Sequence, residues 1–241
     1  MASTSETGYA KQLAEFEDFT NLLSALGELY APPKPELQLA NLQGQLNAGK
    51  AAMREISVAA PPYSAAVDKQ NLAFKFLKDR ITRSLTYYKV VILDPAEIDT
   101  AKNLADKIRG VPGKAKTAAT DDATASKRIS QSQQSYDSQI ENLKQYIDVL
   151  TASGVYSNPG NGISIDDLNQ MLSEMEATNA VVAEAKIPLD VARKKRDVIF
   201  YEPVTGIADL ALNAKRYVKA TVPKSNPHYN ELTSIVFKKR A

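Results

Sequence analysis

His228 is the only histidine in the chain, and there is no cysteine. Thiolate nucleophiles, thiolate metal sites and disulfides are therefore excluded. A di-iron helical bundle needs two Glu-x-x-His motifs, and a Ser-His-Asp triad needs its histidine beside a nucleophile. His228 instead follows Asn226-Pro227, a turn signal, and reads as a solvated turn residue. Gly110-Val-Pro-Gly113-Lys114 is phosphate-loop-like in composition only. It lacks the Gly-x-x-x-x-Gly-Lys-Ser/Thr spacing and follows a helical pattern rather than a strand, so an interdomain linker is favoured. Two basic groups could meet an anion, a lipid headgroup or RNA. One comprises Lys107, Arg109, Lys114, Lys116, Lys127 and Arg128; the other is Arg193-Lys194-Lys195-Arg196. A solvated helix face balancing acidic helices is the favoured reading of both. No catalytic residue, metal ligand or cofactor follows from these patterns, and binding residues stay unassigned.

The composition agrees. Thirty basic and 28 acidic residues give a net charge of +2, without the basic excess of a dedicated nucleic-acid binder. Residues 1–36 and 129–186 are acidic, whereas 62–91 and 188–219 are basic. Helices from these stretches are expected to lie side by side, their charges adding specificity more than stability. The first residues carry no signal-peptide pattern, and no run of about 18 apolar residues occurs. A cytoplasmic, soluble chain is expected. The Ala/Val-rich run 177–185 is the one candidate for membrane insertion, and Glu184 weakens it.

The elements that would position any site are helical. Apolar residues at 9, 13, 16, 19, 23, 26 and 30 step by three and four and define helix A. Pro32, Pro33 and Pro35 end it. A second stripe, helix B, runs through Leu39, Leu42, Leu46, Met53 and Ile56, and continues past Pro62 as helix C through Tyr63, Val67, Phe74, Leu77, Ile81 and Tyr88. Pro62 either separates B from C or kinks one long helix; the kinked helix over 37–91, roughly 80 Å long at 1.5 Å per residue, is favoured, giving a rod. Asp94-Pro95-Ala96-Glu97 starts helix D with a cap, an N1 proline and a capping-box Glu, and Gly110 stops it.

Displacing the chain by 126 positions pairs Tyr30 with Tyr156, Pro33 with Pro159, Leu42 with Leu168, Pro62 with Pro188, Phe74 with Phe200 and Ile81 with Ile207. Periodicity alone does not place prolines, so two tandem copies of one unit are expected. In the second copy Ser164 should cap its B helix by accepting from the N–H of Asp167, with Ile163 and Leu168 as a hydrophobic staple. Pro188 raises the same question as Pro62, and Pro203 and Gly206 break this copy's C helix. Tyr9, Tyr63, Tyr88 and Tyr136 lie on the stripes; Tyr87 and Tyr201 lie off them and could serve a partner surface. A short helix is expected near Tyr229–Ile235, and Leu232–Phe237 should dock back on the bundle or on another chain, docking back being favoured.

Arg193, Arg196-Asp197, Tyr201-Glu202-Pro203-Val204-Thr205-Gly206, Asp209, Lys215 and Tyr217-Val218-Lys219 resemble a family of uncharacterised all-helical bacterial proteins, typical of Bacteroidetes and of similar length. The resemblance implies a helical fold over most of the chain; it implies no activity and no functional residue.

The fold expected is an all-α elongated helical bundle of two tandem pseudo-repeats, with seams of coiled-coil type. The divisions are 1–110, a linker over 111–125, a second repeat over 126–220 and a tail over 221–241. The function expected is that of a non-catalytic scaffold or protein-interaction protein, self-association included. A membrane-active helical protein and a bundle holding a small apolar ligand are the alternatives.

Overall fold

The computed structural model describes residues 4–111, 134–157 and 159–239, with side chains from Gly8 onward. The described residues form helices and no strand, as the composition requires. The helices are α1 (Thr4–Ala25), α2 (Leu39–Phe74), α3 (Leu77–Val91), α4 (Pro95–Arg109), α5 (Tyr136–Ala152), α6 (Ile165–Tyr201), α7 (Ile207–Thr221) and α8 (Tyr229–Ser234). Short 3-10 turns at Gly27–Leu29 and Pro35–Leu37 join α1 to α2. The linker lies outside the described residues apart from Val111.

The helix boundaries follow local chemistry. The Asp94 carboxylate accepts from the Ala96 N–H at 2.8 Å, Pro95 occupies the first turn, and Gly110 takes a left-handed φ of 76° at the C-terminus. Glu97, expected to close a capping box, instead accepts from the Tyr88 hydroxyl at 3.2 Å. At α6 the box forms: Ser164 Oγ accepts from the Asp167 N–H at 3.1 Å, and the Asp167 carboxylate accepts from the Ser164 N–H at 3.1 Å. The Ser164 hydroxyl, which donates to the same carboxylate at 2.6 Å, and then the Ser164 N–H hold the Asp167 carboxyl below its usual range. Both staple residues, Ile163 and Leu168, are buried.

α2 passes through Pro61 and Pro62 without interruption, and α6 passes through Pro188. Each proline removes one ladder donor. The expected single helix over 37–91 is nevertheless wrong in its length. α2 ends at Phe74, where the Lys75 N–H bonds Leu72 O three residues back and Phe76 leaves helical geometry at φ −99°, ψ 4°. Leu77 then starts α3 fully buried. In α6 the corresponding break falls after Tyr201, where Pro203 and Gly206 had signalled it.

Two compact units result. One comprises Met1–Tyr63 with Ala185–Ala241, and the other is Ser64–Glu184. They differ from the expected chain-order division at 110 and 126, because each draws on both supposed copies. In the first unit, α1 and α7 pack around Phe16, Phe19, Leu23, Leu42, Phe200 and Ile207. All seven stripe residues of helix A are buried. In the second, α3, α4 and α5 pack around Leu77, Ile81, Tyr88, Ile108, Leu143 and Leu150. The acidic α1 thus neighbours the basic α7, and the acidic α5 meets the basic α3, where Ser84 Oγ lies 3.0 Å from the Tyr146 hydroxyl.

One tertiary bond occurs twice, 126 residues apart. The Tyr30 hydroxyl donates to Leu37 O at 2.7 Å, and the Tyr156 hydroxyl donates to Ile163 O at 2.7 Å. Each pins the loop between two helices by a buried carbonyl. Burial raises the pKa of both phenols, so each stays a neutral donor. Replacing either tyrosine by phenylalanine leaves that carbonyl unpaired and is expected to cost about 1–3 kcal/mol. Urea denaturation of Tyr30→Phe and Tyr156→Phe measures this; losses below a few tenths of a kcal/mol would contradict it.

Candidate functional site

The residues that carry the resemblance lie at the C-terminal end of α6, in the loop 202–206 and along α7 as far as Lys219 in its last turn. A buried cation lies among them. Arg196 is 5 % exposed, and its guanidinium carbon lies 3.6 Å from the centre of the Tyr9 ring. Its Nη2 and Nε donate to Asp197 Oδ1 at 2.8 and 3.1 Å, and the Tyr9 hydroxyl donates to the same oxygen at 2.7 Å. Tyr9 also meets Phe200 edge-on at 5.1 Å and Tyr201 at 5.6 Å. Burial first, then the bond to Asp197, pushes the Tyr9 phenol up to about 12. The neutral phenol is thus favoured in the folded state; its contribution is complete below tyrosine's ordinary value near 10 and is lost as pH rises through about 12.

The loop that follows is tightly built. Val204 adopts φ 72°, a left-handed conformation costly for a β-branched residue. Its N–H donates to Asp209 Oδ2 at 3.0 Å. Gly206 is required by space: a Cβ there would lie 2.7 Å from the backbone N and O of Glu202. Asp209 also pairs with Lys239 of the tail, and these two contacts, Lys239 first, hold its carboxyl below the usual range. Lys215 donates to Ile235 O at 2.5 Å, and burial lowers its pKa. The Tyr217 hydroxyl donates to Ala31 O at 2.8 Å. Arg196, Asp197, Tyr201, Gly206, Asp209, Lys215 and Tyr217 therefore all have a place in the packing of one unit.

Several of the other candidates are likewise engaged within the chain. In the run 193–196, Lys195 pairs with Glu55 at 2.5 Å and Arg196 is buried, so the run is no continuous basic face. Arg109 pairs with Asp106 at 2.5 Å; Lys114, Lys116, Lys127 and Arg128 lie outside the described residues. The Tyr87 hydroxyl donates to Ser157 O at 2.8 Å, and Tyr201 donates to Gln12 Oε1 at 3.3 Å. His228 is half-buried at the start of α8, its N–H bonded to Asn226 Oδ1 at 2.9 Å. Leu232 and Phe237 dock back on α1 and α7. Sequence reasoning missed the Tyr9–Arg196–Asp197 cluster, because Tyr9 lies 188 residues from Asp197 and nothing local joins it to the Arg196-Asp197 pair.

Among the described residues no group of His, Cys, Asp or Glu could hold a metal ion, no buried side-chain polar atom lacks a partner, and no helix is long and apolar enough to cross a membrane. Two clefts open at the surface. One, of about 260 Å³, is lined by Pro33, Pro35, Leu37, Val204 and Leu210; the other, of about 300 Å³, by Ala96, Thr100, Val149 and Ala152. The second cleft is also lined by Glu97 and Ser153; Glu97 accepts from the Tyr88 hydroxyl, and the Thr100 and Ser153 hydroxyls donate to Ala96 O and Leu150 O of their own helices. No family model matches the chain, and no curated protein or solved structure matches it significantly.

Proposed function

We propose that the protein is a non-catalytic helical scaffold whose task is to hold protein surfaces, those of its own copies included. One observation carries the reading. On α6, Ile187 is 64 % exposed, Val191 60 % and Val198 54 %, at helical spacings of four and seven. These residues form an apolar row on an otherwise soluble face. Lys186 and Asp190 flank it with opposite charges, and Lys194 lies in the row between Val191 and Val198.

The absence of cysteine fits a reducing, cytoplasmic setting. The doubled tyrosine–carbonyl bond supports an origin by duplication, and the resemblance to the Bacteroidetes-type family is retained as part of this reading.

Size-exclusion chromatography with light scattering across a concentration series tests it. The wild-type chain is expected above its 26.3 kDa monomer mass, and Ile187→Lys with Val191→Lys is expected to return it to that mass. A chain that stays monomeric throughout and captures no protein in co-purification would overturn the reading.

A further inference from the structure

The tail crosses a groove between α1 and α7 in an unusual way. α8 sets Leu232, fully buried, at one end. Residues 235–239 then continue without regular secondary structure: Ile235 half-buried, Val236 62 % exposed, Phe237 only 6 % exposed. The Phe237 ring meets Phe19 edge-on at 5.3 Å and Phe16 at 6.2 Å. Mid-helix walls have no spare backbone groups to pair with the tail's main chain. Side chains grip its main chain instead: Lys215 donates to Ile235 O at 2.5 Å, and Gln12 Nε2 donates to Lys238 O at 3.3 Å. Gln12 is 6 % exposed, and its amide is oriented by the Tyr201 hydroxyl. At the far end Lys239 pairs with Asp209, which also holds the strained Val204.

Two apolar pockets five residues apart, two grips on main-chain carbonyls and an acidic terminus form a peptide-binding groove. The segment 223–228 that leads into the tail is made of turns rather than helix, with Pro223 and Pro227 in it, so the tail can leave without unwinding α7. Once it leaves, Phe16, Phe19 and Asp209 stand open to any segment of the same chemistry.

We propose that this groove is a docking site shut in cis by residues 229–239, and that its occupant in trans is the same segment of a second copy. The exchange is a reciprocal tail swap, which needs no contact beyond those already present. The inference rests on the self-association reading, yet uses a different surface from the Ile187 row.

The test uses full-length chains and a fluorescein-labelled peptide of residues 229–239. Phe237→Ala in the chain unseats its own tail. Because apparent affinity scales with the fraction of open groove, this variant is expected to bind the peptide at least about tenfold more tightly than wild type. Lys239→Glu, which replaces the exposed ion pair with Asp209 by a like-charge contact, is expected to fall between them. A peptide carrying Phe237→Ala is expected to bind the opened chain more weakly by about tenfold or more. Circular dichroism establishes that the variants are folded, and Lys239→Glu keeps the test valid if Phe237→Ala is not. Peptide binding that is absent in both variants, or indifferent to Phe237 in the peptide, overturns the proposal. If chains associate but neither variant takes up peptide, the groove inference falls and self-association stands. If a chain that stays monomeric takes up peptide, the exchange between copies falls together with self-association.

Discussion

Phe200→Ala is expected to destabilise the protein by about 3–5 kcal/mol, the range for truncating a fully buried aromatic ring. Phe200 is 0 % exposed. Its ring receives Tyr9 edge-on at 5.1 Å and packs among residues from α1, α2 and α7. Gly49 of α2 lies so close that a Cβ there would sit 2.7 Å from Leu13 and 3.8 Å from the Phe200 ring. A space built around a glycine and a phenylalanine on two long helices cannot collapse easily when the ring is lost. Phe74, its partner in the 126-residue pairing, is only half-buried and rests on Tyr136 at 4.6 Å. Phe74→Ala is expected to cost about half as much. Equal urea midpoints for the two variants would show that burial does not separate these positions.

Arg196→Ala is expected to cost about 2–4 kcal/mol, and Arg196→Lys to recover no more than part of it. The guanidinium fills space that only a flat group fits, with its face on the Tyr9 ring and its edge against Asp197. Asp197 is 31 % exposed and can recover water when the arginine is gone, so most of the loss comes from the vacated volume and the unstacked ring. A lysine ammonium keeps a charge beside Asp197 but offers neither the plane nor the fork. Thermal unfolding of both variants measures this. Full recovery by lysine would mean that charge, rather than shape, fixes the arginine.

Much of the fold was legible because its signals are local. The three-and-four spacing of α1 named its buried apolar residues, though not the buried Gln12 and Thr20 beside them. Asp94, Gly110, Ser164 and Ile163 marked their boundaries through caps that neighbouring residues complete. The break at Lys75-Phe76 was not legible. Neither residue restricts φ or lacks an N–H, and the chain turns there as Leu77 and Ile81 pack into a core shared with α4 and α5. Partner choice was illegible for the same reason: a stripe states that a helix needs a neighbour, not which one. Charge suggested that helices of types A and C adjoin, and they do, but α1 meets the second C-type helix, α7, and α5 meets the first, α3. In the site, the sequence presented Arg196 as one of four basic residues on a solvated face. Its burial depends on Tyr9, almost the whole chain away, and on a hydrogen-bonding carboxylate beside it.

The division of the chain into Ser64–Glu184 and the two stretches around it sets an order of assembly on the ribosome. The inner stretch is continuous, so all of its native contacts are available once Glu184 has cleared the exit tunnel. The outer body must keep Phe16, Phe19 and Leu23 uncovered until α7 and the tail have been translated. At about 5–20 residues per second this wait lasts on the order of ten seconds. During that interval the nascent α1 is the segment a chaperone would grasp.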